Sequence, residues 1–249
     1  MVKWISRVAS NHALGVRIPP GAPKETKMFF YKILYWLIEF FLGQRISKIE
    51  GLGDLPKNRG FIIAANHESG YDPLIITSAL KKFVRRYLFS RRKRMYFIAN
   101  VNLREKIIRY TPLVVALINL WGEKIGYLPA NRKGLERAIK LLQEDNVIVI
   151  FPEGHINSSQ WLRKGKKGVA VMALKSGAPV IPAACFSPPA KNFWQFILNF
   201  PKKKKIAFSP ALRFVKISQE TIDRRPGRLD VAVALIMEKI ALACGKKYF

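Results

Sequence analysis

His67 and Asp72 stand five residues apart in the run Asn66-His67-Glu68-Ser69-Gly70-Tyr71-Asp72. An imidazole titrates near neutrality and can take a proton from an alcohol. A carboxylate on its far nitrogen fixes the tautomer and stabilises the imidazolium that forms. Such a pair is a general base for a hydroxyl nucleophile. Spacing alone is met equally well by a structural histidine beside an aspartate that caps a helix.

Other chemistries find less support. His12 and His155 are the other histidines, and there is no His-Glu-x-x-His motif or cysteine-rich cluster to hold a metal. A Gly-x-Ser-x-Gly elbow, a Walker loop and a dinucleotide fingerprint are all missing. Cys185 and Cys244 lie far apart and fit a reduced intracellular protein better than a disulfide framework.

The elements that must position these groups read as α/β, with a mixed central sheet flanked by helices. Phe61 to Ala65 is a short apolar strand that ends directly at Asn66-His67. Asp72-Pro73 opens a helix, because proline is favoured in a first turn, and Ile76, Leu80, Phe83 and Tyr87 follow at helical spacing. Further strands are expected over Met95 to Ala99, Ile125 to Leu128, Val147 to Phe151 and Val180 to Ala184. Helices are expected over Lys133 to Gln143, Val169 to Lys175 with Gly177 as cap, and Leu229 to Ala243. Two strands thus end at His67 and Glu153, and sites in open α/β sheets gather beyond strand ends.

The 249 residues are 49% hydrophobic, enough for one well-filled domain and a short appendage. The formal net charge of +28 calls for an anionic partner: nucleic acid, an anionic membrane leaflet or an acidic carrier protein. Two basic blocks, Lys81 to Arg94 and Lys202 to Lys205, lie among or beside aromatic residues. That mixture suits a lipid interface, and an ordinary solvated face accounts for either block equally well. Met28 to Leu42 is very apolar, but it is shorter than the ~20 residues of a spanning helix and is interrupted by Lys32 and Glu39. It reads as an interfacial helix.

Taken together, the motifs resemble the glycerolipid acyltransferase family that includes the 1-acylglycerol-3-phosphate acyltransferases. Asn66 to Pro73 is similar to its first block, and Gly51 to Pro56 to the approach to it. Gly126-Tyr127-Leu128-Pro129-Ala130-Asn131-Arg132 resembles the second block and Phe151-Pro152-Glu153-Gly154 the third. Lys166-Lys167-Gly168 and Gly177 to Pro182 resemble the remainder, so the likeness covers roughly residues 46 to 185.

The resemblance implies roles. His67 would deprotonate an acceptor hydroxyl, Asp72 would orient His67, and Arg132 would hold the acceptor phosphate, for which a guanidinium fork is suited. Glu153 and Gly154 would shape the glycerol end, Lys166 and Lys167 would assist with phosphate, and Asn66, Ser69, Phe151, Pro152 and Pro182 would support the site. Acyl-CoA or acyl-carrier-protein would donate the acyl group to a lysophospholipid, with no metal or bound cofactor. Residues 46–249 would form the acyltransferase domain. Residues 1–45 would be a tail and membrane-associating helix, placing the protein on anionic lipid at the cytoplasmic face. One departure matters: the family's third block commonly continues Thr-Arg-Ser, and here His155-Ile156-Asn157 follows Gly154. That keeps open another lysolipid, an aminolipid or a glycolipid as acceptor. A non-catalytic nucleic-acid-binding protein would explain the charge but not the ordered blocks.

Overall fold

The computed structural model describes residues 46–80, 95–99, 126–188, 198–199 and 202–248. The expected helix over 28–42, the basic block from Lys81 to Arg94 and most of the aromatic run 193–200 lie outside the described residues. In chain order the elements are β1 (Ile46–Glu50), a 3-10 turn (Leu52–Asp54), β2 (Phe61–Ala65), α1 (Asp72–Ala79), β3 (Met95–Ala99) and β4 (Tyr127–Pro129). There follow α2 (Arg132–Gln143), β5 (Val147–Ile150), α3 (Gly168–Ser176), β6 (Val180–Phe186), β7 (Lys204–Phe208), α4 (Gln219–Arg224) and α5 (Gly227–Cys244).

The strands form one sheet in the order β1-β7-β6-β2-β5-β3-β4. Neighbours are parallel except β6 with β7. The fold is therefore mixed α/β with a central sheet flanked by helices. Parallel strands are covered on both faces and so read as unbroken apolar runs, which is why β2 and β5 are buried along their whole length. Side chains alternate across a strand. Ile62 and Ala64 join the core with α2, α3 and α5, including Ala138, Leu141, Val169, Ala173, Ile236 and Ile240. Phe61, Ile63 and Ala65 face the other way. α1 touches β1, β6 and β7.

The parallel register aligns the carboxyl ends that matter. Ala64 pairs with Ile150 of β5 and Pro182 of β6, and Ile98 of β3 pairs with Ile150. Chain leaving β2, β5, β6 and β4 thus emerges on one edge of the sheet, carrying His67, Glu153, Ser187 and Arg132. β6 runs two residues further than expected, to Phe186, and that extension brings Ser187 over the edge.

In the Lys202 to Lys205 block, Lys202, Lys203 and Lys205 are exposed as a basic surface requires, and Lys204 is the exception. Lys204 opens β7, and strand alternation turns it inward with Ile206 and Phe208. Its ammonium lies 4.6 Å from the Tyr71 ring centroid and donates to the carbonyls of Lys202 at 2.9 Å and Asn199 at 3.3 Å. Among the described residues no helix is long and apolar enough to cross a membrane.

Candidate active site

β2 delivers the site because Asn66 continues it with a side chain in place of backbone. Its amide accepts from the Cys185 N–H at 2.7 Å and donates to the Cys185 carbonyl at 3.0 Å, clasping the chain to β6. The chain then wraps around the Asp72 carboxylate. That side chain is fully buried, and one oxygen accepts from Glu68 N–H at 2.7 Å and Ser69 N–H at 2.8 Å, and meets His67 Nδ1 at 2.8 Å. The Ser187 hydroxyl donates to the other oxygen. A buried carboxylate with this many donors is compensated for its lost hydration. Its place in the first turn of α1, next to Pro73, adds a favourable helix dipole. Ser69 further tightens the turn, its carbonyl accepting from the Asp72 N–H and its hydroxyl from the Tyr71 N–H.

His67 is 15% exposed in its side chain, enough for one edge to meet a substrate. Its ring stacks on Phe151, with centroids 4.2 Å apart and planes at 19°. With Nδ1 committed to Asp72, the tautomer that donates from Nδ1 leaves Nε2 as a proton acceptor.

The third block packs against His67. Glu153 is 2% exposed. Its carboxylate accepts from His67 N–H at 3.4 Å, from the Asn157 side-chain amide at 2.6 Å and from Arg163 N–H at 3.0 Å. Glu153 therefore ties the loop 153–163 to His67, with both oxygens engaged by protein donors. Gly154 adopts φ +72, a left-handed turn costly to other residues. The Lys166 side chain lies against it, and Lys166 N–H donates to the Pro152 carbonyl at 2.9 Å.

The other expected residues take separate positions. Asn131 caps α2 by accepting from Gly134 N–H at 2.9 Å, which sets Arg132 in the first turn. Arg132 is 92% exposed and pairs with Glu136 one turn on. It follows β4, three strands from β2, so its backbone stands roughly 14 Å to the side at the usual strand spacing. Lys167 pairs with Asp230 of α5 at 2.9 Å rather than with the His67 group. Pro182 is buried within β6, in register with Ala64.

Ser187 and Asn157 belong to the site and were not anticipated. The signal was weak in each case: a serine after a strand and an asparagine in a polar loop are common. Ser187 lies 115 residues from Asp72, so only the register of β6 on β2 brings them together.

Cys185 is buried, and burial, then the Asp72 and Glu68 charges, pushes its thiol well above the usual range, so it is no ready nucleophile. Among the described residues no group of three or more His, Cys, Asp and Glu side chains could hold a metal ion.

The chain is similar to known proteins in sequence and in fold. The chain is 27% identical over 197 residues to the 1-acyl-sn-glycerol-3-phosphate acyltransferase of Borreliella burgdorferi, covering 76% of this chain and 68% of that one. It is 23% identical over 167 residues to a probable 1-acyl-sn-glycerol-3-phosphate acyltransferase of Mycoplasma pneumoniae, covering 66% of this chain and 58% of the relative. The crystal structure of the 1-acyl-sn-glycerophosphate acyltransferase from Thermotoga maritima superposes with a TM-score of 0.53 at 23% identity, over 96% of this chain and 89% of that one, which speaks for the fold. Residues 46–186, from the start of β1 to the end of β6, match the sequence pattern of the family described as Acyltransferase. With more than half its length matched, the chain belongs to that Acyltransferase family.

Proposed function

We propose that the chain transfers a fatty acyl group from acyl-CoA or acyl-carrier-protein to the free hydroxyl of 1-acyl-sn-glycerol-3-phosphate, giving phosphatidic acid. The observation that carries this reading is the 2.8 Å contact of His67 Nδ1 with buried Asp72, inside the family-matched segment. His67 Nε2 takes the hydroxyl proton as the oxygen attacks the thioester carbonyl. The tetrahedral intermediate collapses, the carbon–sulfur bond breaks, and the departing sulfur takes the proton from the imidazolium. No acyl-enzyme forms, and no metal or bound cofactor enters the balance. The names of the relatives support the acceptor.

Arg132 would meet the acceptor phosphate. The phosphate and free hydroxyl of this acceptor sit on adjacent carbons, so the long, exposed Arg132 side chain must span much of its lateral offset. Lys166, beside Gly154, would contribute a second cation. The basic surface and the segment 28–42 would hold the enzyme on anionic lipid at the cytoplasmic face.

Ile156 favours a second reading, in which the acceptor is another lysolipid, an aminolipid or a glycolipid. It stands where the family commonly has arginine and is 43% exposed. Thioester consumption by the purified protein, across an acceptor panel, separates the two. Lysophosphatidate preferred over lysophosphatidylcholine and aminolipids supports the first reading, and the reverse order supports the second. His67→Ala should reduce consumption to background, and a folded variant with near-normal turnover would remove His67 as the base.

A further inference from the structure

Glu68 sits between the base and its carboxylate in sequence, and its own carboxylate is nearly enclosed. One oxygen accepts the Ser187 N–H at 3.3 Å, and the other meets the Lys246 ammonium at 2.8 Å. The two side chains of that pair are 15% and 10% exposed. Lys246 also donates to the Asn157 carbonyl at 3.2 Å, and Asn157 N–H donates to the His67 carbonyl at 2.6 Å. Ser187 meanwhile donates to Asp72, which holds His67. The contacts close into a ring: His67, Asp72, Ser187, Glu68, Lys246, Asn157 and back to His67.

Lys246 reaches this ring because α5 ends in a left-handed Gly245, at φ +67. The Lys246 N–H folds back onto the Ala241 carbonyl at 3.0 Å. The next residue is anchored as well. Lys247 N–H donates to Gln160, its carbonyl accepts from Leu162 N–H, both at 2.9 Å, and it forms a parallel bridge with Trp161. The segment after α5 is thus a rung laid on the loop that carries Asn157.

We propose that Lys246, outside the family-matched residues, is a positioning residue for acyl transfer: it neutralises Glu68 and so fixes the 67–72 loop that presents the base. This rests on His67 being that base. Without the ammonium, Glu68 is a nearly buried charge that has lost its cation, which is costly unless the side chain swings out or water enters. Either change releases the Ser187 end of the ring and moves the loop. Small displacements at a reacting group are felt in rate far more than in affinity.

The test uses the full chain, acyl-CoA and lysophosphatidate, with thermal unfolding measured alongside. Lys246→Met should lower kcat about ten-fold or more, leaving KM for the acceptor within about two-fold. Lys246→Arg should restore most of the rate. Glu68→Gln/Lys246→Met should outperform Lys246→Met, because no lone charge remains. Wild-type kcat in Lys246→Met overturns the proposal. So does a rise in KM alone, which would make Lys246 a phosphate contact, and so does a double variant no better than the single. Should Lys246→Met fail to fold, the double variant is compared with Glu68→Gln. Equal kcat supports the proposal and a further loss overturns it. Failure of the base reading is separate, since only that would leave His67→Ala active.

Discussion

Asp72→Asn isolates charge from geometry at this site. The substituted amide can keep its oxygen where Asp72 now accepts from Glu68 N–H, Ser69 N–H and His67. Its NH2 then faces the Ser187 hydroxyl, which can turn from donor to acceptor. The fold should therefore survive, with unfolding within a few degrees of the wild type. On the proposed reading, what is lost is the anion beside the imidazolium as His67 takes the acceptor proton. At about 4 Å between charge centres and an effective dielectric near 20, that attraction is about 4 kcal/mol. Lost from the transition state, it lowers kcat about 1,000-fold. Initial rates at saturating acyl-CoA and acceptor, with calorimetry to confirm folding, measure the effect. A folded variant within about ten-fold of wild-type kcat would show that Asp72 serves the loop and not the base.

Two further substitutions probe residues with contrasting surroundings. In Glu153→Gln, either orientation of the amide sets an NH2 against protein donors at His67, Asn157 or Arg163. A cost of about 2 kcal/mol is expected, seen as a fall in Tm of about 4–8 °C together with a lower kcat. Arg132→Ala, at an exposed helix start, should leave Tm within about 1–2 °C. It should raise KM about ten-fold for a phosphorylated acceptor, with little change for a non-phosphorylated one. Equal losses on both acceptors would end its assignment to phosphate.

Legibility in the sequence followed burial. β2, β5 and α2 are written in apolar runs and 3.6-residue periodicity, and the structure places them within a residue or two of expectation. β1 is not legible as a strand because Ser47, Lys48 and Glu50 face solvent on an edge, where charge guards against mispairing. β7 was hidden inside a lysine run whose third member points inward. At the site, the motif residues could be recognised together because they are close in sequence. Ser187 and Lys246 could not, since their places depend on strand register and on a helix cap far along the chain. The resemblance implies that Glu153 shapes the glycerol end of the site, and its burial on three protein donors is invisible in sequence, where an exposed and a buried carboxylate look alike.

The Ile156 departure can be weighed by the same reasoning. Its neighbours are fixed without it: Gly154 by its left-handed turn, and Asn157 by Glu153, the Trp161 carbonyl and its own N–H on His67. An exposed side chain that bears none of those contacts can change without disturbing His67. Substitution at 156 therefore bears on what the loop meets, while the contacts of His67 stay in place. On the proposed reading, loss of an arginine here shifts the grip on the acceptor toward Arg132 and Lys166. Ile156→Arg should then lower KM for lysophosphatidate while kcat stays near wild type, and a fall in kcat at unchanged KM would place residue 156 among the groups that hold the base.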